Sequence, residues 1–199
     1  IVFSFFCLNI IAAFAAFVFQ MITKQTSFTF FPYIFYLFTL TFPTLLFITG
    51  LSLLVHSVVR SMFLAITCLL GYCILDIWFL TGIFQGTFDM FALKIPNVFS
   101  QVTGHVGMYP YLLQRLAFVL AGIALALFAV VYMKRIPGNI RALRQAVLSG
   151  CFILLLGCVS GVLYYNDYLQ DQRIRREYME LYEKTQDKYV GVNIVSQRI

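Results

Sequence analysis

Residues 31–59, FPYIFYLFTLTFPTLLFITGLSLLVHSVV, are followed after Arg60 and Ser61 by residues 62–84, MFLAITCLLGYCILDIWFLTGIF. Asp76 is the only Asp, Glu, Lys or Arg in these two runs. A helix needs about 20 apolar residues to cross a hydrocarbon core of about 30 Å, and each run exceeds that. Two residues between them leave room only for a tight reversal, so the helices are expected to be antiparallel neighbours. Pro43 lacks an N–H and its ring collides with the preceding turn, so a kink is expected there, turned toward the bundle interior where neighbours can satisfy the freed carbonyl.

Residues 1–22, 111–133 and 146–165 are runs of the same kind, which gives five expected spans and an all-α, polytopic helical bundle. Composition agrees: 61% of the chain is hydrophobic and 11% charged, whereas a soluble domain carries about 25% charged residues. The mean hydropathy is +0.88. The bilayer is therefore the expected solvent. The chain opens at Ile1 inside an apolar run, without Met or a basic leader, and is expected to be a piece of a longer protein.

Residues 85–110 differ from the spans. Gly86, Asp89, Lys94, Pro96, Asn97, Gly104, His105, Gly107 and Pro110 alternate with Phe88, Phe91, Phe99 and Tyr109. The mixture is too polar to span and too apolar for a free loop, so short interfacial or re-entrant helices are expected between the third and fourth spans. Beyond residue 165 the tail turns polar, with Ile174, Tyr178, Leu181 and Tyr182 at helical spacing. An amphipathic helix is expected, followed by a strand begun by the alternating Val190, Val192 and Ile194.

Charge sets the expected orientation. Lys134, Arg135, Arg141 and Arg144 lie between the last two spans without an acidic residue among them. The tail balances Arg173, Arg175, Arg176, Lys184, Lys188 and Arg198 against Asp167, Asp171, Glu177, Glu180, Glu183 and Asp187. Basic residues are retained in the cytoplasm, so the four cations hold their loop inside and the tail is expected outside. The net charge of +6 thus reflects topology. No basic patch is interleaved with exposed aromatics, and nucleic acid is not an expected partner.

Chemistry-bearing signals are sparse. There is no phosphate-binding glycine loop, HExxH or GxSxG. His56 and His105 have no cysteine or paired carboxylate at ligand spacing, so no metal or other cofactor is expected. Cys7, Cys68, Cys73, Cys151 and Cys158 all lie in apolar runs and read as small buried hydrophobes. Asp76 is costly inside a span, by about 2.5–3.5 kcal/mol on insertion scales. It is the substrate-path or proton-relay candidate; its competing reading is a carboxylate hydrogen-bonded near the outer interface beside Trp78. Gly157 and Gly161, with Gly150 on nearly the same face, form a small-residue stripe suited to close helix packing, within the subunit or across a dimer.

Residues 36–51, YLFTLTFPTLLFITGL, ending in the basic turn at Arg60, resemble the fourth span of ABC-2 type transporter permeases. Residues 97–104, NVFSQVTG, then 111–115, YLLQR, and the tail after the fifth span are similar to bacterial permeases of this class that bear an extracytoplasmic extension, some fused to a peptidase-like domain. The resemblance covers residues 1–189. It implies that the first four spans are the third to sixth of a six-span permease, that the fifth span is an addition, and that the first two spans and the main ATPase-docking loop would precede Ile1. It further implies a permease subunit in a bacterial inner membrane. Its expected partners are a cytoplasmic ATP-binding cassette ATPase, which alone hydrolyses ATP, a second permease subunit and the lipid bilayer. The alternative is a membrane anchor for an extracytoplasmic, peptidase-like domain. A lipid-modifying enzyme would need a catalytic cluster, for which Asp76 with His105 is too little.

Overall fold

A computed structural model describes residues 2–23, 31–59, 61–93, 99–100, 104–105, 107–132 and 140–189. Five of its helices are long and apolar enough to cross a membrane. The chain is an all-α polytopic bundle. Helix α1 covers Val2–Thr23. The second span comprises α2 (Phe31–Tyr36), a π-helical turn (Leu37–Thr41) and α3 (Phe42–Val58). The third comprises α4 (Met62–Leu75) and a second π turn (Asp76–Leu80). Helix α5 is Met108–Tyr132 and α6 is Ile140–Tyr189.

Pro43 explains the first irregularity. The Phe42 N–H donates to the Leu37 carbonyl, five residues back, so the ladder widens in the turn that the proline ring would otherwise strike. Pro43 itself is buried. Hydroxyls close the remaining local polar groups. Thr39 donates to the Phe35 carbonyl at 2.8 Å, Thr49 to that of Leu45 at 2.6 Å and Thr67 to that of Phe63 at 2.9 Å. In a solvent that cannot hydrogen-bond, this back-bonding makes threonine tolerable in a span.

The core lies where α3 meets α5. Thr39 Oγ1 and Tyr111 Oη are 3.0 Å apart, Thr44 meets Arg115, and the Phe47 and Phe118 rings pack edge to face at 5.1 Å. Gly50 meets Gly122. Both chains advance together through these pairs, so α3 and α5 run parallel and their N-terminal ends share one end of the bundle. At the glycines the backbones almost touch: a Cβ built on Gly50 would lie 2.1 Å from the Gly122 carbonyl oxygen, and one on Gly122 would lie 2.8 Å from the Leu46 oxygen and the Phe47 Cα. Without a hydrophobic drive between helices in lipid, such close approach is what holds spans together.

Between the third and fourth spans the structure has a 3₁₀ turn at Ile83–Gly86 and an antiparallel pair of short strands, β1 (Phe99–Ser100) and β2 (Gly104–His105), in which Phe99 faces His105. The strand pair was not foreshadowed by the composition of this stretch. The expected strand after residue 189 lies outside the described residues, as do Lys134 and Arg135.

Two compact units divide the chain, Ile1–Tyr165 and Asn166–Ile199. In the second, the described residues are helical and Ile174, Tyr178, Leu181 and Tyr182 are exposed. The bundle's outer surface is apolar: Phe63, Trp78 and Ile22 are 80%, 86% and 73% exposed. Water would not tolerate that surface; lipid does.

Gly50→Ala and Gly122→Ala are each expected to destabilise the protein by about 1–3 kcal/mol or more, because the methyl meets backbone that cannot move aside. Gly71→Ala, where nothing lies within 4 Å, is expected to be neutral. Thermal unfolding of detergent-purified variants checks the contrast, and equal melting of all three would refute the crossing.

Candidate functional site

The turn between Gly86 and Ala92 enters the bundle at the end where α3 and α5 begin, and its carbonyls cannot be left bare there. Side chains from two helices satisfy them. Arg115 on α5 donates through Nη1 to the Met90 carbonyl and through Nη2 to the Asp89 carbonyl, each at 2.8 Å. Gln114 donates through Nε2 to the Asp89 carbonyl at 2.8 Å and the Gly86 carbonyl at 3.2 Å. From α3, the Thr44 hydroxyl lies 3.0 Å from the Met90 carbonyl and 2.9 Å from that of Leu40. The turn closes on itself through Asp89 N–H to the Gly86 carbonyl at 3.0 Å and Ala92 N–H to the Asp89 carbonyl at 3.3 Å.

This turn is held against local preference. Ala92 has φ of 55°, a left-handed conformation that costs a residue with a Cβ about 1–2 kcal/mol. Ala92 is also buried, in one cluster with Tyr111 and Tyr164. Arg115 therefore does more than neutralise dipoles: its planar fork fixes two successive carbonyls in one orientation. The guanidinium carbon lies 5.3 Å from the Phe118 ring centre and 6.0 Å from that of Tyr111, so aromatic faces replace part of its lost hydration.

Asp76 completes the cluster. It is fully buried, and neither carboxylate oxygen receives a hydrogen bond of ordinary geometry. The Met90 backbone amide, the Asp89 carboxylate and the Arg115 guanidinium are the polar groups that surround it. The second π turn places it so, because Thr81 N–H reaches back five residues to the Asp76 carbonyl at 3.0 Å. Asp76 points into the protein while Ile77, Trp78 and Phe79 of the same turn face outward. Its position is thus interior, away from the exposed Trp78 indole. The Arg115 Nε and Gln114 Oε1 are likewise buried without a hydrogen-bond partner.

The other sequence candidates are not brought to this cluster. A Cβ on Gly150 would meet the Phe128 ring at 2.7 Å, and one on Gly157 would meet Leu120 Cβ at 3.3 Å, so both face α5. Gly161 faces Thr87 with space to spare, its nearest contact being 3.9 Å away. Arg141 and Arg144 are exposed, as is His56. The cysteines depart from the expected buried role: Cys68, Cys151 and Cys158 are exposed, because a thiol on a span can rest in lipid as readily as in a core. Among the described residues no three His, Cys, Asp or Glu side chains converge as metal ligands. The site residues missed from the sequence are Gln114 and Arg115, whose signal is a polar pair inside an otherwise apolar α5.

Chemically the cluster is a clamp with an electrostatic imbalance: one guanidinium is within reach of two carboxylates in a medium of low polarity. Arg115→Ala is expected to cost on the order of 3–5 kcal/mol, since it strands buried polar groups that have no water to turn to. Arg115→Lys, with a point charge that cannot span both carbonyls, should lose about 1–3 kcal/mol, and Thr44→Val less still. Unfolding in detergent, together with protease cleavage within residues 86–92, tests this ranking; indifference of the turn to Arg115→Ala would refute the clamp. Comparison of the chain with models of protein families, with curated proteins and with solved structures finds no match.

Proposed function

We propose that the chain is the permease, or membrane-spanning, subunit of an ABC-2 type ATP-binding cassette transporter, moving its substrate by switching the bundle between two packings. The observation that carries this reading is the buried Arg115, Asp76 and Asp89 cluster. Ionisable groups inside a span are expensive, and where they persist within a bundle they mark substrate or ion paths. Asp76 is the residue assigned to that path. ATP would be bound and hydrolysed by a separate cytoplasmic ATPase, and a second permease subunit would complete the transporter in a bacterial inner membrane. The uncompensated Lys134 and Arg135 before α6, with Arg141 and Arg144 in its first turns, support a cytoplasmic start of α6 and an extracytoplasmic tail.

One observation favours the alternative, an anchor for an extracytoplasmic and possibly peptidase-like domain. Helix α6 runs unbroken for 50 residues, far more than the about 20 that cross a bilayer. Its exposed Ile174, Tyr178, Leu181 and Tyr182 form a stripe suited to a partner surface.

Two measurements separate these readings, and a third tests the topology they share. The full-length protein should co-purify with a nucleotide-binding ATPase, and Asp76→Asn should insert normally yet lower transport by tenfold or more. An anchor would show neither effect. A cysteine at Gln186, in a chain stripped of native cysteines, should react with a membrane-impermeant thiol reagent on intact cells; reaction only after lysis would invert the proposed topology.

A further inference from the structure

Beside the clamp lies a cleft of about 510 Å³ whose lining is almost entirely apolar. Phe47 of α3, Tyr72 of α4, Phe118 of α5 and Gly157, Cys158 and Gly161 of α6 line it. Thr87 and Phe88 border it where the clamped turn begins. Cys158 and Val162 are themselves exposed, so this wall of the cleft continues into the lipid-facing surface of α6. Bilayer hydrocarbon is the medium that bathes such a surface.

We propose that this cleft is a binding site for one acyl chain of a bilayer phospholipid. Continuity with the lipid-facing surface identifies the occupant. A flexible acyl chain follows the contour of such a cleft while staying continuous with the hydrocarbon outside it. The small residues Ala117, Ala121, Gly157 and Gly161 make room, and the Phe47, Tyr72 and Phe118 rings supply contact area. The site has a consequence for the clamp. Phe118 both lines the cleft and packs against Arg115, so a chain seated there touches the ring that borders the guanidinium.

Gly161→Leu fills the cleft from a position where a Cβ meets only the Thr87 methyl at 3.9 Å. Gly71→Leu adds the same bulk to an exposed position outside it. After exchange of the full-length protein into lipid-free detergent, native mass spectrometry should find one phospholipid retained by the wild type and by Gly71→Leu, and at least tenfold less by Gly161→Leu. Equal retention by both variants, or none by the wild type, overturns the site. Should Gly161→Leu fail to fold, Cys158 gives the second reading. With the other four cysteines replaced by Ser, adding dioleoylphosphatidylcholine to delipidated protein should slow N-ethylmaleimide labelling of Cys158 at least tenfold. A chain retaining only Cys151, which is exposed outside the cleft, should be unaffected. Protection of both thiols alike, or protection that follows protein concentration instead of lipid, would assign the effect to bulk lipid or to a second copy and refute the proposal.

Discussion

Arg115 pinning the Asp89 and Met90 carbonyls is the interaction on which this end of the bundle depends. A membrane offers no water to an open carbonyl, so irregular backbone at its depth persists only where protein groups take water's place. The turn from Gly86 to Ala92 meets that condition through side chains from both α3 and α5, and in doing so it welds a connection between spans onto the helix pair that forms the core. Loss of the guanidinium would leave the Asp89 carbonyl to Gln114 and the Met90 carbonyl to Thr44, and would take the one nearby positive charge from the buried Asp76 carboxylate.

The pinning in turn requires that α3 and α5 keep a fixed separation. Gly50 against Gly122 sets it, with backbone where side chains would normally stand. Along the same interface the contacts grade from polar to apolar: Thr39 with Tyr111, Thr44 with Arg115, Phe47 with Phe118, then glycine on glycine. Polar groups gather at the end where the irregular turn enters, and the rest of the seam is closed by packing alone. The π turn before Pro43 belongs to this arrangement, since it makes room for the proline at the start of α3, one residue before the Thr44 whose hydroxyl reaches Met90.

Much of the bundle is legible in the residues themselves. A run such as residues 62–80 can be little else than a span, and Asp76 announces itself as a charge in such a run. The contacts that organise the spans are far less legible. Gly50 and Gly122 sit in different helices with no local spacing that links them, whereas Gly157 and Gly161 catch the eye by falling four apart on one helix. Gln114 and Arg115 follow directly on the polar stretch 85–110, where a basic residue reads as an interfacial anchor; only folding α5 against the turn reveals that they point inward. The β1 and β2 pair escaped notice because two residues per strand are too few for any periodicity to register.

The same tightness limits how the bundle can rearrange. Packed interfaces switch between discrete arrangements and do not deform continuously. With a glycine crossing between α3 and α5, and with both helices hydrogen-bonded to the turn at 86–92, the three form one body: sliding α5 would break the crossing and the Arg115 bonds, and sliding α3 the crossing and the Thr44 bond. Asp76 is attached differently: its π turn ends α4, and its carboxylate meets that body only through the Met90 backbone amide and the charge of Arg115. A motion that separates the end of α4 from the α3 and α5 pair therefore gives up the Asp76 contacts while leaving the glycine crossing and the Arg115 hydrogen bonds in place. Of all the buried polar groups in the cluster, the one whose environment such a motion changes most is the Asp76 carboxylate.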